Sequence, residues 1–119
     1  ADVIERVGAV RRAFPHVPIR LHLHNTRNTG LANAWAGIMA GAVTLDSSLG
    51  GVGGCPFAPR ATGNIPTEDL VYMLERAGIA TGLDLEGCIE AAEWLEAQLE
   101  HTLPGMVMKA GGFPAPEAA

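Results

Sequence analysis

Apolar positions change period several times along the chain, and each change marks an element. Val3, Val7, Val10 and Phe14 recur at three- and four-residue steps, which predicts a helix, with Asp2 available as its N-cap. Pro15 and Pro18 end it. Residues 19–24, Ile-Arg-Leu-His-Leu-His, then alternate strictly, the period of a strand. Asn25–Gly30 forms a polar turn, a helix of small residues follows to about Ala40, and Val43–Asp46 supplies a second short strand. Strand, helix and strand at this spacing make a βαβ unit and hence an α/β fold with a parallel sheet.

The pattern then lapses. Ser47–Gly63 is glycine-rich, carries Pro56 and Pro59, and reads as a long loop of the kind that is usually functional or disordered. Thr67 caps the next expected helix, with Glu68 and Asp69 at the positive end of its dipole and Gly78 at its end. Asp84 caps another, whose face carries Ile89, Ala92, Leu95 and Leu99. The reading is one domain over residues 1–103 and a Pro/Gly-rich tail over 104–119 that frays.

Composition removes several function classes. An apolar fraction of 48% over 119 residues is too high for a disordered segment. Eight Lys and Arg against 13 Asp and Glu give a net charge of −5, which leaves no basic patch for a nucleic-acid partner. The most apolar run, Leu31–Leu45, is interrupted by polar residues and falls short of the ~20 residues a membrane span needs. Charges near the N-terminus argue against a signal peptide, and two cysteines against a disulfide framework, so the expected compartment is the cytoplasm. The chain opens on Ala rather than Met, as a piece of a longer protein would.

Candidate chemistry sits in three places. On a strand His22 and His24 share one face with Arg20, so the two imidazoles can chelate one divalent ion; the plainer reading is a polar strand end. Cys55, flanked by Gly53-Gly54 and Pro56, is either a thiol carried on a mobile loop or an inert one. Asn64 offers a hard amide oxygen to a mixed nitrogen and oxygen site, or ordinary turn chemistry. Asp46 reads as a hydrogen-bonding residue beside Thr44, and Cys88, Trp35 and Trp94 as packing. His16 and His101 read as surface residues.

In combination, His22-Leu23-His24-Asn25-Thr26, Gly30-Leu31-Ala32-Asn33, Asp46-Ser47-Ser48, Gly51-Val52-Gly53-Gly54-Cys55-Pro56, Gly63-Asn64 and Thr67-Glu68-Asp69-Leu70-Val71-Tyr72-Met73-Leu74 resemble the hydroxymethylglutaryl-CoA lyase family. The resemblance runs over nearly residues 1–100, in order and spacing. It implies the C-terminal portion, about the last three strands, of a (β/α)₈ TIM barrel. It further implies a divalent ion, Mg²⁺ or Mn²⁺, held by His22, His24 and Asn64, with Cys55 as the mobile-loop acid and His22 assisting proton removal. The reaction implied is a retro-Claisen cleavage of a 3-hydroxyacyl-CoA to acetyl-CoA and a keto acid.

Three positions depart from the family pattern: Asn25 replaces an aspartate, and Asn28 and Arg60 stand where glycine is common. The family's first strand carries an arginine and a metal-binding aspartate that have no counterpart among these residues. A full barrel takes ~250 residues, so the isolated chain is expected to be catalytically incompetent and to need either self-association or the missing N-terminal half. Amidohydrolases also carry H-x-H but need further histidines downstream, where only His101 stands, and Cys55 argues against related aldolases and synthases. The remaining alternative is a non-catalytic barrel fragment that assembles with a partner chain.

Overall fold

A computed structural model describes residues 1–54, 60 and 62–113. Its elements run α1 (Asp2–Ala13), β1 (Arg20–Leu21), α2 (Gly30–Ala40), β2 (Thr44–Leu45), a 3-10 turn at Leu49–Gly51, α3 (Thr67–Arg76), α4 (Leu85–Leu99) and α5 (Val107–Ala110). β1 and β2 pair in parallel, Arg20 opposite Thr44 and Leu21 opposite Leu45, with α2 as the crossover. This is the βαβ unit expected from the alternation at 19–24.

Both strands are shorter than that alternation suggests. Pairing past Leu21 passes to another part of the chain: residues 63–66 insert beside the strand ends, with an antiparallel bridge between His24 and Asn64 and a parallel one between Ser48 and Pro66. Ile65 N–H donates to Leu23 O, and Ser48 N–H to Ile65 O. Ile65, fully buried, thereby becomes the centre of a core with Ala34, Leu70 and Leu74. A second core joins Ile89, Ala92, Leu103 and Met108. Helix α1 packs on α2, where Arg11 Nη1 donates to Ala40 O at 3.0 Å.

The caps differ in part from expectation. Asp84 caps α4 as predicted, accepting Gly87 N–H at 3.1 Å. Asp2 makes no cap bond and is itself the first residue of α1. Pro66, not Thr67, is the N-cap of α3: Thr67 N–H is already taken by Ser48 O, and its hydroxyl pairs with Ser47 Oγ at 2.8 Å. Gly78, at φ +78°, closes the far end as expected.

The described tail is not frayed. Leu103 is 1% exposed and Met108 5%, and the chain between them is fixed by the Asp69 carboxylate, which accepts Met106 N–H at 3.2 Å and Val107 N–H at 2.7 Å. Two hydrophobic anchors in a Pro/Gly-rich stretch, plus one acidic partner from α3, outweigh the low helix propensity of the segment. Residues 114–119 lie outside the described residues. Trp35 and Trp94 are exposed rather than packed, and Cys88 is half-buried. No helix among the described residues is long and apolar enough to cross a membrane.

Candidate functional site

The end of β1, the segment after β2 and the inserted residues 63–66 converge, and the polar residues singled out in the sequence meet there. His22 and His24 do share a face: their ring centroids lie 5.2 Å apart at 74°, with the two Nε2 atoms 3.3 Å from each other. Two nitrogens bound side by side to one ion at ~2.1 Å would stand about 3.0 Å apart at a right angle and about 3.4 Å at a tetrahedral one. The observed pair falls inside that span.

Asn64 joins them through the backbone. Asn25 N–H donates to Gly63 O and Ile65 N–H to Leu23 O, which makes His24 and Asn64 a non-hydrogen-bonded antiparallel pair. Such pairs bring side chains on the same face closest together, with Cβ atoms about 4.5–5.5 Å apart. The Asn64 amide is oriented by donation of its Nδ2 to Val52 O at 3.0 Å, because the flipped amide would set oxygen against oxygen. Its Oδ1 is then buried with no hydrogen-bond partner among the described residues. A buried acceptor left empty costs about 1–3 kcal/mol, so an orphan opposite His24 fits the chemistry of a ligand oxygen.

The glycines around it are spatial necessities. A Cβ on Gly63 would collide with Gly51 O, and one on Gly53 would meet Asn64 Nδ2 at 2.8 Å. A Cβ on Gly30 would meet the Ile65 side chain and, at 2.8 Å, His24 O. Asn25 Oδ1 accepts Gly30 N–H at 2.9 Å, which ties the turn after His24 to the start of α2. Asn28, in a position where glycine is common, has φ +56°, a conformation asparagine tolerates better than other side chains.

Asp46, read from the sequence as a hydrogen-bonding residue on the face of Thr44, finds its partners on β1 and just beyond it. It sits 3.5 Å from both Arg20 Nε and His22 Nδ1, one carboxylate oxygen to each. Glu68, read from the sequence as a first-turn acid of α3, has a further role. Its side chain is fully buried; Oε2 accepts Gly50 N–H at 3.1 Å and Oε1 has no partner among the described residues, and burial pushes its carboxyl above the usual range. No spacing rule marks either role, since both partners arrive from distant segments. Cys55 lies outside the described residues. No group of three or more His, Cys, Asp or Glu is placed to hold an ion among the described residues, so the donor set present here is two imidazoles and one amide.

A family model described as HMGL-like matches residues 1–95. The chain is 56% identical over 98 residues to a (R)-citramalyl-CoA lyase of Chloroflexus aurantiacus, covering 82% of this chain and 31% of that one. It is 46% identical over 104 residues to a hydroxymethylglutaryl-CoA lyase of Bacillus subtilis, covering 87% and 35%. Among solved structures, an HMG-CoA lyase from Acinetobacter baumannii in complex with coenzyme A and 3-methylmalate superposes with a TM-score of 0.89 at 44% identity, covering 98% of this chain and 38% of that one. The chain thus spans about a third of the length of the relatives it matches. On the family match and these identities, the chain belongs to the HMGL-like family.

Proposed function

We propose that this chain carries the C-terminal part of a (β/α)₈ barrel lyase that cleaves a carbon–carbon bond in a 3-hydroxyacyl-CoA. The observation that carries the reading is the Asn64 Oδ1, buried and without a partner among the described residues and opposed to His24, whose Nε2 lies 3.3 Å from that of His22. His22, His24 and Asn64 would hold a divalent ion, Mg²⁺ or Mn²⁺. Bound there, such an ion polarises the substrate's hydroxyl and carbonyl oxygens and lowers the cost of the alkoxide.

The protein's own groups then handle the protons. His22 assists removal of the 3-hydroxyl proton. The C3–O bond becomes a carbonyl as the C2–C3 bond breaks, and its electron pair passes to the thioester enolate. Cys55, on the glycine-rich loop, protonates that carbon to give acetyl-CoA, with a keto acid as the other product. Of the two rings His22 is the more exposed, so it is the one open to the substrate's hydroxyl.

The test is a cleavage assay on the full natural polypeptide with Mg²⁺ or Mn²⁺ and reductant, using hydroxymethylglutaryl-CoA and (R)-citramalyl-CoA in parallel. Turnover on either, abolished by Cys55→Ala and by His24→Ala, supports the reading. Turnover by the isolated 119 residues would overturn the part of it that makes the upstream portion necessary. Metal-independent turnover would overturn the ion.

A further inference from the structure

We infer that Asp46, braced by Arg20, is a positioning residue that fixes His22 in its Nδ1–H tautomer and so aims the Nε2 lone pair at His24 and Asn64. Asp46 stands one residue beyond β2 and His22 one beyond β1, so the parallel register of Arg20 on Thr44 and Leu21 on Leu45 places them side by side. That register continues in the backbone, where Asp46 N–H donates to Leu21 O at 2.9 Å. One Asp46 oxygen lies 3.5 Å from His22 Nδ1 and the other 3.5 Å from Arg20 Nε. At 3.5 Å neither contact is a hydrogen bond, but the carboxylate's charge favours a proton on the imidazole nitrogen that faces it, and the guanidinium draws the carboxylate's other oxygen toward Arg20.

The rest of the cluster agrees with that assignment. If His22 carries its proton on Nδ1, the bond between the two Nε2 atoms must be donated by His24, which leaves His24 Nδ1 bare. His24 Nδ1 is buried and has no partner among the described residues, which suits an empty lone pair better than a stranded N–H. The opposite arrangement would set a bare His22 Nδ1 against a carboxylate and bury an unsatisfied His24 N–H. The two histidines are therefore inequivalent: His22 has a carboxylate behind it, and His24 does not. The inference explains why Arg20, 70% exposed in its side chain, stands on the face of the histidines rather than merely on a solvated strand.

The tautomer is readable without any ion, by long-range proton–nitrogen correlation spectra of the metal-free full polypeptide above the pH at which the imidazoles are protonated. The expected result is Nδ1–H at His22, with Asp46→Ala reverting it to the Nε2–H form that free imidazole side chains favour. A wild-type His22 in the Nε2–H form overturns the inference even if no variant folds, and so does an Nδ1–H form that survives Asp46→Ala. A second arm rests on the metal reading proposed above: Mn²⁺ affinity, followed by electron paramagnetic resonance, should fall at least about tenfold in Asp46→Ala. Absence of Mn²⁺ binding to the wild-type protein would sink that metal reading and leave the tautomer result to decide the role of Asp46.

Discussion

Removing the Asp69 carboxylate should release the C-terminal segment while leaving the sheet intact. Asp69 is 6% exposed and accepts two consecutive backbone N–H groups, Met106 and Val107, at the start of α5. Hydrogen bonds to a charged group contribute about 1.5–3 kcal/mol each, and loss of an N-cap costs about 0.5–2 kcal/mol. Water replaces part of this when the segment opens, and Met108 and Leu103 still hold it, so about 2 kcal/mol is expected for Asp69→Ala. At 1.36 kcal/mol per decade that is about a 30-fold loss of hydrogen-exchange protection at the Met106 and Val107 amides. Asp69→Asn keeps one acceptor oxygen and should lose about fivefold. The effect should extend to Gly105, whose N–H donates to Gly50 O at 2.9 Å, but not to Ile65. Protection at 106 and 107 within twofold of wild type in Asp69→Ala would refute the reasoning, since α5 would then be held by apolar anchoring alone.

Further outcomes follow from other contacts. Burial raises the Glu68 carboxyl above its ordinary 4.5, so the folded state binds this proton more tightly than the unfolded one. Its contribution to stability is full below about pH 4.5 and declines as pH rises through the raised value; urea midpoints across pH should show that decline, and Glu68→Gln should flatten it. Gly63→Ala drives a Cβ into Gly51 O at a φ of +140° and should cost about 2–4 kcal/mol, read as a lowered melting temperature. Burial first, and the nearby Glu68 and Asp84 charges second, push the Cys88 thiol up, so alkylation at neutral pH should be slower there than at a free cysteine; equal rates would count against it.

What the sequence disclosed depended on distance along the chain. The alternation at 19–24, the βαβ order and the cap at Asp84 are local signals, and each was legible because a few neighbouring residues decide it. That His22 and His24 face one way follows from strand period alone. The opposition of Asn64 to His24 does not: it requires forty residues of intervening chain to return, and only the family resemblance tied the two together. The buried Glu68 and Asp69 looked like ordinary first-turn acids because their partners, Gly50 N–H and the Met106 and Val107 amides, lie in segments with no periodicity. The same blindness made 104–113 look like a tail, since one acidic side chain from α3 supplies what the segment's own composition lacks. Trp35 and Trp94 erred the other way: size suggested packing, yet both face outward among these residues.

Two imidazole nitrogens held 3.3 Å apart also rank the ions offered to them. Nitrogen donors favour nickel, copper and zinc over manganese, and give magnesium the least, whatever reaction the surrounding enzyme prefers. The Asn64 amide, as the third ligand proposed above, would not reverse the order, because it adds no charge for a hard cation; that would fall to a carboxylate from the upstream portion. With these three proposed donors alone, occupancy would follow supply more than affinity, with abundant magnesium displaced wherever a later transition metal is left unbuffered. The same ranking acts in the laboratory: protein passed over a nickel resin would carry the resin's ion into the assay, and a chelation step before metal reconstitution becomes part of measuring the enzyme at all.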